Sequence, residues 1–177
     1  MTIIWLNATV GAGKSAVGRA LACMLPSAVF MDGDDYAGPS HLPNPVRWRM
    51  ALQALLRAAA RRGSFPTLVV AYPLDRFGYA QLKAVCGRSH RPCIVINLAT
   101  PLAMTLRGRG GRMLDGAERA RVRVMRSKGY HRRPFAVATL PNAHPPAGRT
   151  ARRIVRWCLS DPFYGASGQS QELMLGR

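Results

Sequence analysis

The most constraining feature of this chain is a glycine-rich segment at residues 8–15, Ala-Thr-Val-Gly-Ala-Gly-Lys-Ser. The apolar run Ile3-Ile4-Trp5-Leu6 precedes it and predicts a buried strand, and a helix-forming stretch follows it. Backbone N–H groups of such a turn, together with the positive end of the following helix dipole, converge on one point and attract phosphate oxygens. The segment therefore predicts a phosphate-binding loop between a first strand and a first helix.

The side chains of this loop predict its ligand. We expect a nucleoside triphosphate, ATP, in contact with Gly11, Ala12, Gly13, Lys14, Ser15 and Ala16. Lys14 would bridge the β- and γ-phosphates, and the hydroxyl of Ser15 would bind Mg²⁺. The first glycine of the usual motif is replaced by Ala8, which is tolerable if that residue does not need a positive φ angle.

Length and composition limit the class of protein. The 177 residues suit one domain, which we expect over residues 1–160, with a flexible tail over 161–177. Apolar stretches are shorter than the roughly 18 residues of a membrane span, and the first strand begins too close to Met1 for a targeting segment. We therefore expect a cytoplasmic protein without a membrane partner. The four cysteines show no Cys-x-x-Cys spacing, which favours free thiols over a metal site.

The net charge of +18 predicts attraction to polyanions, including nucleic acid. Most of the basic residues are arginine, however, and a GC-rich coding sequence would produce the same excess. The charge thus makes a nucleic-acid partner possible without favouring it, and the sequence leaves the oligomeric state open.

Alternating apolar runs and amphipathic stretches predict an α/β protein with a parallel sheet wrapped on both faces. We expect five strands, at residues 3–6, 28–31, 67–71, 93–98 and 135–140. Helices are predicted at 14–24, 46–62, 77–86, 101–107, 116–128 and 147–159. On the second helix, Trp48 is expected to face the protein core, and Gly63 is expected to end the helix. Ligands of such a sheet bind at the carboxyl ends of its strands.

An acidic cluster, Asp32-Gly33-Asp34-Asp35, follows the second predicted strand and holds three of the eight acidic residues of the chain. One carboxylate at this position can hold a water of Mg²⁺. Another, two residues on, can hydrogen-bond an acceptor hydroxyl and take its proton during phosphoryl transfer. The alternative is a helix N-cap followed by a turn.

At this point the chain resembles a known family. The order of strand, Ala-x-x-Gly-x-Gly-Lys-Ser, helix, strand and Asp-Gly-Asp is similar to the small P-loop kinases related to gluconate kinase, shikimate kinase and adenylyl-sulfate kinase. Antibiotic-modifying P-loop proteins begin similarly. The resemblance implies a P-loop NTPase fold of the nucleoside-monophosphate-kinase type, with an arginine-rich lid. It also implies that Asp32 helps to position Mg²⁺ and that Asp34 contacts the acceptor hydroxyl.

The resemblance further points to arginines. Arg107, Arg109 and Arg112 are spaced by glycines after the fourth strand, as in the lid of such kinases, and Arg112 followed by Arg109 are the preferred catalytic candidates. The alternative is a flexible solvated loop. Arg126 begins an Arg-x-x-x-Tyr segment similar to one that grips the acceptor anion in shikimate kinase. Arg47 opens the second helix and is a further candidate for substrate contact.

The favoured hypothesis is an ATP-dependent kinase that phosphorylates a hydroxyl of a small molecule, such as a sugar acid, a nucleotide or an antibiotic. A polynucleotide 5′-hydroxyl kinase is an alternative, although an aromatic content of 7% offers few stacking platforms for single strands. A non-catalytic nucleotide-binding protein is another, and it would not need the acceptor carboxylate that Asp34 supplies.

Overall fold

The computed structural model describes residues 2–61, 66–108, 113–143 and 147–160. Its strands are β1 (Thr2–Asn7), β2 (Ala28–Asp32), β3 (Thr67–Ala71), β4 (Cys93–Ala99) and β5 (Ala138–Pro141). Its helices are α1 (Lys14–Met24), α2 (Asn44–Ala60), α3 (Arg76–Arg88), α4 (Leu102–Leu106), α5 (Gly116–Ser127) and α6 (Ala147–Ser160), and a 3₁₀ helix spans Gly33–Tyr36.

The five strands form one parallel sheet in the order β2-β3-β1-β4-β5. β1 lies between β3 and β4, with β2 and β3 on one side of it and β4 and β5 on the other, so the order of the strands along the chain changes direction here. In open α/β sheets, a ligand site forms outside the carboxyl ends of the strands at such a switch point. The loop that follows β1 begins at this position.

Alternate residues of the strands supply two hydrophobic cores, one on each face of the sheet. Ile3 and Trp5 point to the face covered by α2 and α3, and Ile4 and Leu6 point to the face covered by α1 and α6. All four side chains are fully buried. Burial on both faces explains why the strands are continuous apolar runs without alternation of polar residues.

The predicted α/β fold and five-stranded parallel sheet are confirmed. The bounds of α1 and β3 agree with the prediction. α3 begins at Arg76 because the carboxylate of Asp75, its N-cap residue, accepts a hydrogen bond from the N–H of Gly78 at 2.7 Å. α2 begins at Asn44, two residues earlier than predicted, since Pro45 suits the first turn of a helix.

Two further local predictions differ from the structure. Trp48 is 36% exposed rather than core, because α2 turns this residue away from the sheet and toward α5. The last strand begins at Ala138 rather than Phe135, whose ring instead stacks on Tyr79 with centroids 4.3 Å apart. The predicted helix end at Gly63 and the predicted tail over 161–177 lie outside the described residues.

Within the described ranges, no helix combines the length and the apolar character needed to cross a bilayer. None of the four cysteines, all of which lie within the described residues, forms a disulfide bond. Cys86 and Cys158 are buried, whereas Cys23 is exposed on α1.

Candidate functional site

The glycine-rich segment folds into a loop in which two positions have a backbone conformation that favours glycine. Gly11 and Gly13 adopt φ angles of 70° and 87°, in the left-handed region that side chains disfavour. Gly13 is the N-cap of α1, so that Lys14 and Ser15 open the helix at its positive end. Ala8 is buried and has no positive φ, which explains why a methyl group is accepted there.

Side chains from distant parts of the chain support this loop from behind. The carbonyl oxygen of Ala12 accepts hydrogen bonds from the Thr100 hydroxyl at 2.9 Å and from the Asn142 amide at 2.7 Å. Thr150 on α6 donates in turn to the side-chain oxygen of Asn142 at 2.9 Å. The loop is therefore fixed by buried polar contacts, which orient its N–H groups before any ligand binds.

Lys14 lies along the inner edge of the loop. Its ammonium group donates to the carbonyl oxygens of Thr9 at 2.9 Å and of Ala8 at 3.4 Å. A lysine ammonium has three rotatable donors, so it can exchange these carbonyls for phosphate oxygens without moving the backbone.

A first cleft of about 630 Å³ opens in front of the loop. Its lining includes the loop residues Gly11, Gly13, Lys14, Ser15 and Ala16. The sixth residue predicted to contact the triphosphate, Ala12, is not among the described lining residues. It is buried, and its carbonyl faces the supporting side chains.

Two carboxylates, those of Asp32 and Asp34, line the same cleft. Asp32 ends β2 and is 7% exposed. Its carboxylate lies 3.7 Å from the guanidinium of Arg19 on α1 and accepts a hydrogen bond from the backbone N–H of Asp34 at 3.3 Å. Asp34 lies in the 3₁₀ helix and is exposed to the cleft. The structure therefore brings Asp32 and Asp34 to the same cleft as the phosphate-binding loop.

The residue between the two carboxylates is glycine for a steric reason. A methyl group on Gly33 would overlap the ring of Tyr72, the first residue after β3. The φ angle of Gly33 is not positive. Close approach of the 3₁₀ helix to Tyr72, rather than a tight turn, therefore requires glycine here.

A second cleft, also of about 630 Å³, adjoins the first. The two share Trp48, Tyr72, Pro73 and Arg121 as lining residues. The second cleft is lined by residues of α2, the β3–α3 segment, α3 and α5 and by Tyr130. A molecule bound in it would lie beside the loop and the two carboxylates.

Tyr72 forms part of the wall shared by both clefts. Its hydroxyl donates to the carbonyl oxygen of Trp48 at 2.9 Å, and its backbone carbonyl accepts from the indole N–H of Trp5 at 2.7 Å. Burial raises the pKa of Tyr72 to about 12, an effect that the charge of Arg121 opposes only in part. The phenol therefore stays protonated at neutral pH and cannot serve as a base.

Arg121 on α5 is a site residue that the sequence reasoning missed. Its guanidinium stacks over the indole of Trp48 at 4.0 Å from the ring centroid and reaches both clefts. It is one of several arginines spaced along α5, and the sequence gives no signal that separates it from Arg123, which is exposed.

A buried amide pair, Asn7 and Asn97, connects the ends of β1 and β4. The Asn7 amide donates to the side-chain oxygen of Asn97 at 2.7 Å and to the carbonyl of Tyr130 at 3.0 Å, while its oxygen accepts from the N–H of Leu74 at 2.8 Å. Asn97 donates to the carbonyl of Arg133 at 3.0 Å. This pair fixes two of the segments that enclose the second cleft, and neither residue was predicted.

Other predicted arginines lie elsewhere. Arg47 donates to the carbonyl oxygen of Gly38 at 2.8 Å, and Arg126 donates to that of Thr100 at 2.9 Å; neither is among the described residues that line the two clefts. Arg107 is exposed at the end of α4. Arg109 and Arg112 fall outside the described residues, so the lid stays a prediction.

No protein-family model and no curated protein sequence matches the chain. Solved structures do. Shikimate kinase from Acinetobacter baumannii, solved with shikimate, is 22% identical with a TM-score of 0.67 over 90% of this chain and 94% of its own. A gluconokinase from Sinorhizobium meliloti is 20% identical with a TM-score of 0.61, over 90% and 98%. The tunicamycin resistance protein of Deinococcus radiodurans is 21% identical with a TM-score of 0.58, over 88% and 94%.

These likenesses extend over most of each chain. At identities near one fifth, these likenesses establish the fold of this chain. They do not establish its phosphoryl acceptor. The protein described by this sequence has the fold of the small P-loop kinases.

Proposed function

We propose that this protein is an ATP-dependent phosphotransferase that moves the γ-phosphoryl group to a hydroxyl of a small molecule in the cytoplasm. The observation that carries the proposal is that Asp34 lines the same cleft as Lys14 and Ser15. A nucleotide-binding protein without turnover has no use for a carboxylate opposite its phosphate loop.

The first cleft is proposed to hold the phosphoryl donor. Backbone N–H groups at the positive end of α1 would bind the phosphates, and Lys14 would contact the β- and γ-oxygens. Because these donors are backbone N–H groups at the start of one helix, their geometry does not depend on side-chain rotamers.

Ser15 and Asp32 are the residues that would hold Mg²⁺ in this cleft. Mg²⁺ typically takes one or two carboxylates or hydroxyls and completes its shell with water and substrate phosphate. Both residues line the first cleft, and Asp32 is held by Arg19 and by the N–H of Asp34. When bound, Mg²⁺ would neutralise charge on the phosphates.

Asp34 is proposed as the base. In the balanced step, the acceptor oxygen forms a bond to the γ-phosphorus, the bond from this phosphorus to the β–γ bridging oxygen breaks, and ADP leaves. The hydroxyl proton passes to the carboxylate of Asp34. Tyr72, beside Asp34 in the shared wall, is excluded from this role by its raised pKa.

Arginines are proposed to stabilise the charge of the transferring group. Arg109 and Arg112 keep this role, which the resemblance implies for lid residues, whereas Arg121, at the junction of the clefts, is assigned to the acceptor. Arg47 and Arg126 are engaged with backbone carbonyls, so a substrate contact from either would require those hydrogen bonds to break.

The test compares Asp34→Asn with Asp35→Asn, its exposed neighbour that is not among the described lining residues. A screen of ATP consumption over sugar acids, nucleosides, aminoglycosides and 5′-hydroxyl oligonucleotides would first identify the acceptor. We expect Asp34→Asn to lower kcat by about 10²–10⁴-fold while nucleotide affinity stays within about threefold. Asp35→Asn should retain the wild-type rate. Normal turnover by Asp34→Asn would contradict the assigned base.

A further inference from the structure

The second cleft presents more apolar surface than a purely hydroxylated ligand can use. Phe77, in the first turn of α3, lines it and is 71% exposed. Leu52, Pro45 and Val124 extend this apolar surface across α2 and α5. A flat ring packed on Phe77 would remove water from both partners, whereas a polyol would leave the phenyl ring wet.

The same cleft carries an excess of positive charge. Arg49, Arg121 and Lys128 line it, and its one described acidic lining residue is Asp75. The carboxylate of Asp75 is already used as the N-cap of α3, where it accepts from Gly78. Three cations against one engaged carboxylate favour an anionic ligand.

Arg121 is the cation best placed to orient that ligand. Its stacking on Trp48 restrains the guanidinium at the junction of the two clefts, and the planar fork of donors matches a carboxylate or phosphate. An anion held there would lie beside the cleft that contains Asp34.

We propose, on the basis of the function proposed above, that the phosphoryl acceptor is an anion that also carries a planar ring. The ring packs on Phe77, and the anionic group binds Arg121. This arrangement separates the acceptor from simple sugar acids, which bring the anion without the ring.

The test uses two matched sets of compounds and calorimetry on the full chain saturated with Mg·AMPPNP. The first set is mandelate, lactate and 1-phenylethanol, which share a secondary alcohol. The second is uridine 5′-monophosphate, ribose 5-phosphate and uridine. We expect, in at least one set, that the compound with both ring and anion binds at least tenfold more tightly than either of the others.

Variants assign the preference to its residues. Phe77→Ala should reduce the advantage of the ring at least fivefold, and Arg121→Gln should reduce the advantage of the anion by a similar factor. Val137→Ala, which removes an exposed apolar side chain elsewhere, and Arg123→Gln, on the same helix as Arg121, should change neither.

Three results would overturn the proposal: equal binding with and without the ring in both sets, no binding by any of the six compounds, or equal effects of Phe77→Ala and Val137→Ala. The initial titration with Mg·AMPPNP keeps this outcome separate from the proposed function. If AMPPNP does not bind, the phosphotransferase fails, and the preference for ring and anion is still measured with the first cleft free.

Discussion

The two clefts of this protein have similar volumes, about 630 Å³ each, but they are built in different ways. The phosphate-binding part of the first comes from one continuous segment, in which backbone N–H groups and a helix start form the surface. The second is assembled from side chains of α2, α3 and α5 and from Tyr130, which meet only in the folded chain. A site made from local backbone can be predicted from one sequence motif, whereas a site made from distant side chains cannot.

The two clefts also differ in which substitutions they tolerate. Substitution of a side chain at the rim of the second cleft changes shape and charge without disturbing the loop that follows β1. The shared wall, Tyr72 and Trp48 above all, is the place where the two clefts depend on each other.

The largest effect is expected for Lys14→Ala, which removes the side-chain cation of the locally built cleft. We expect ATP turnover to fall on the order of 10³-fold, because a preorganised donor to the transferring phosphate is lost. Lys83→Ala, an exposed site on α3, is the matched control and should turn over ATP at the wild-type rate. Equal rates in the two variants would show that the loop does not act on the phosphates.

Asn7→Ala should expose how strongly the second cleft depends on distant contacts. It leaves the Leu74 N–H, the Tyr130 carbonyl and the Asn97 side chain without their partner, and we expect a loss of about 3 kcal/mol in the free energy of unfolding. KM for the acceptor should rise more than KM for ATP. Asn44→Ala, at an exposed position, is the control for urea unfolding, and similar midpoints for the two variants would contradict the supporting role of Asn7.

Tyr72 in the shared wall predicts a dependence of stability on alkaline pH. Its pKa is about 12 in the folded protein and ordinarily 10, so the folded state keeps a proton that the unfolded chain releases. The contribution is complete below pH 10 and declines as pH rises from 10 to 12, by about 2 kcal/mol at pH 11.5. Urea unfolding at pH 9.5 and 11.5 measures it, with Tyr72→Phe as the reference that lacks this part of the loss. Equal losses in both proteins would mean that Tyr72 titrates normally.

An effect of similar size is expected where the 3₁₀ helix approaches Tyr72. Gly33→Ala forces a methyl group against a buried ring and should destabilise the protein by about 2 kcal/mol. Gly87→Ala, in α3, meets nothing within 4 Å and should stabilise it by up to about 1 kcal/mol, since alanine favours helix. Thermal unfolding of both variants gives the comparison, and a neutral Gly33→Ala would contradict the close approach of the 3₁₀ helix to Tyr72.

Much of the fold and of the first cleft followed from the sequence because their signals are local. Glycines at Gly11 and Gly13, a lysine at the helix start and apolar runs without alternation each act within a few residues. The position of Asp32 and Asp34 also followed, since carboxyl ends of parallel strands meet at one edge of the sheet.

The rest could not be predicted, because it depends on which side chains meet across the fold. Trp48 follows the apolar spacing of α2, yet its indole is covered by Arg121 rather than by the core. Arg126 fits a family segment, but its guanidinium reaches the carbonyl of Thr100. The pairing of Asn7 with Asn97 joins residues 90 positions apart, and no pattern in a single sequence marks such a pair.

The claim on which this account depends most is that the loop between β1 and α1 holds a triphosphate. Calorimetric titration of Mg·AMPPNP into the full chain tests it directly. We predict saturable binding at one site per chain, retained in Asp34→Asn and weakened at least tenfold in Lys14→Ala. Absence of heat in the wild-type protein, or equal affinity in Lys14→Ala, would contradict the account.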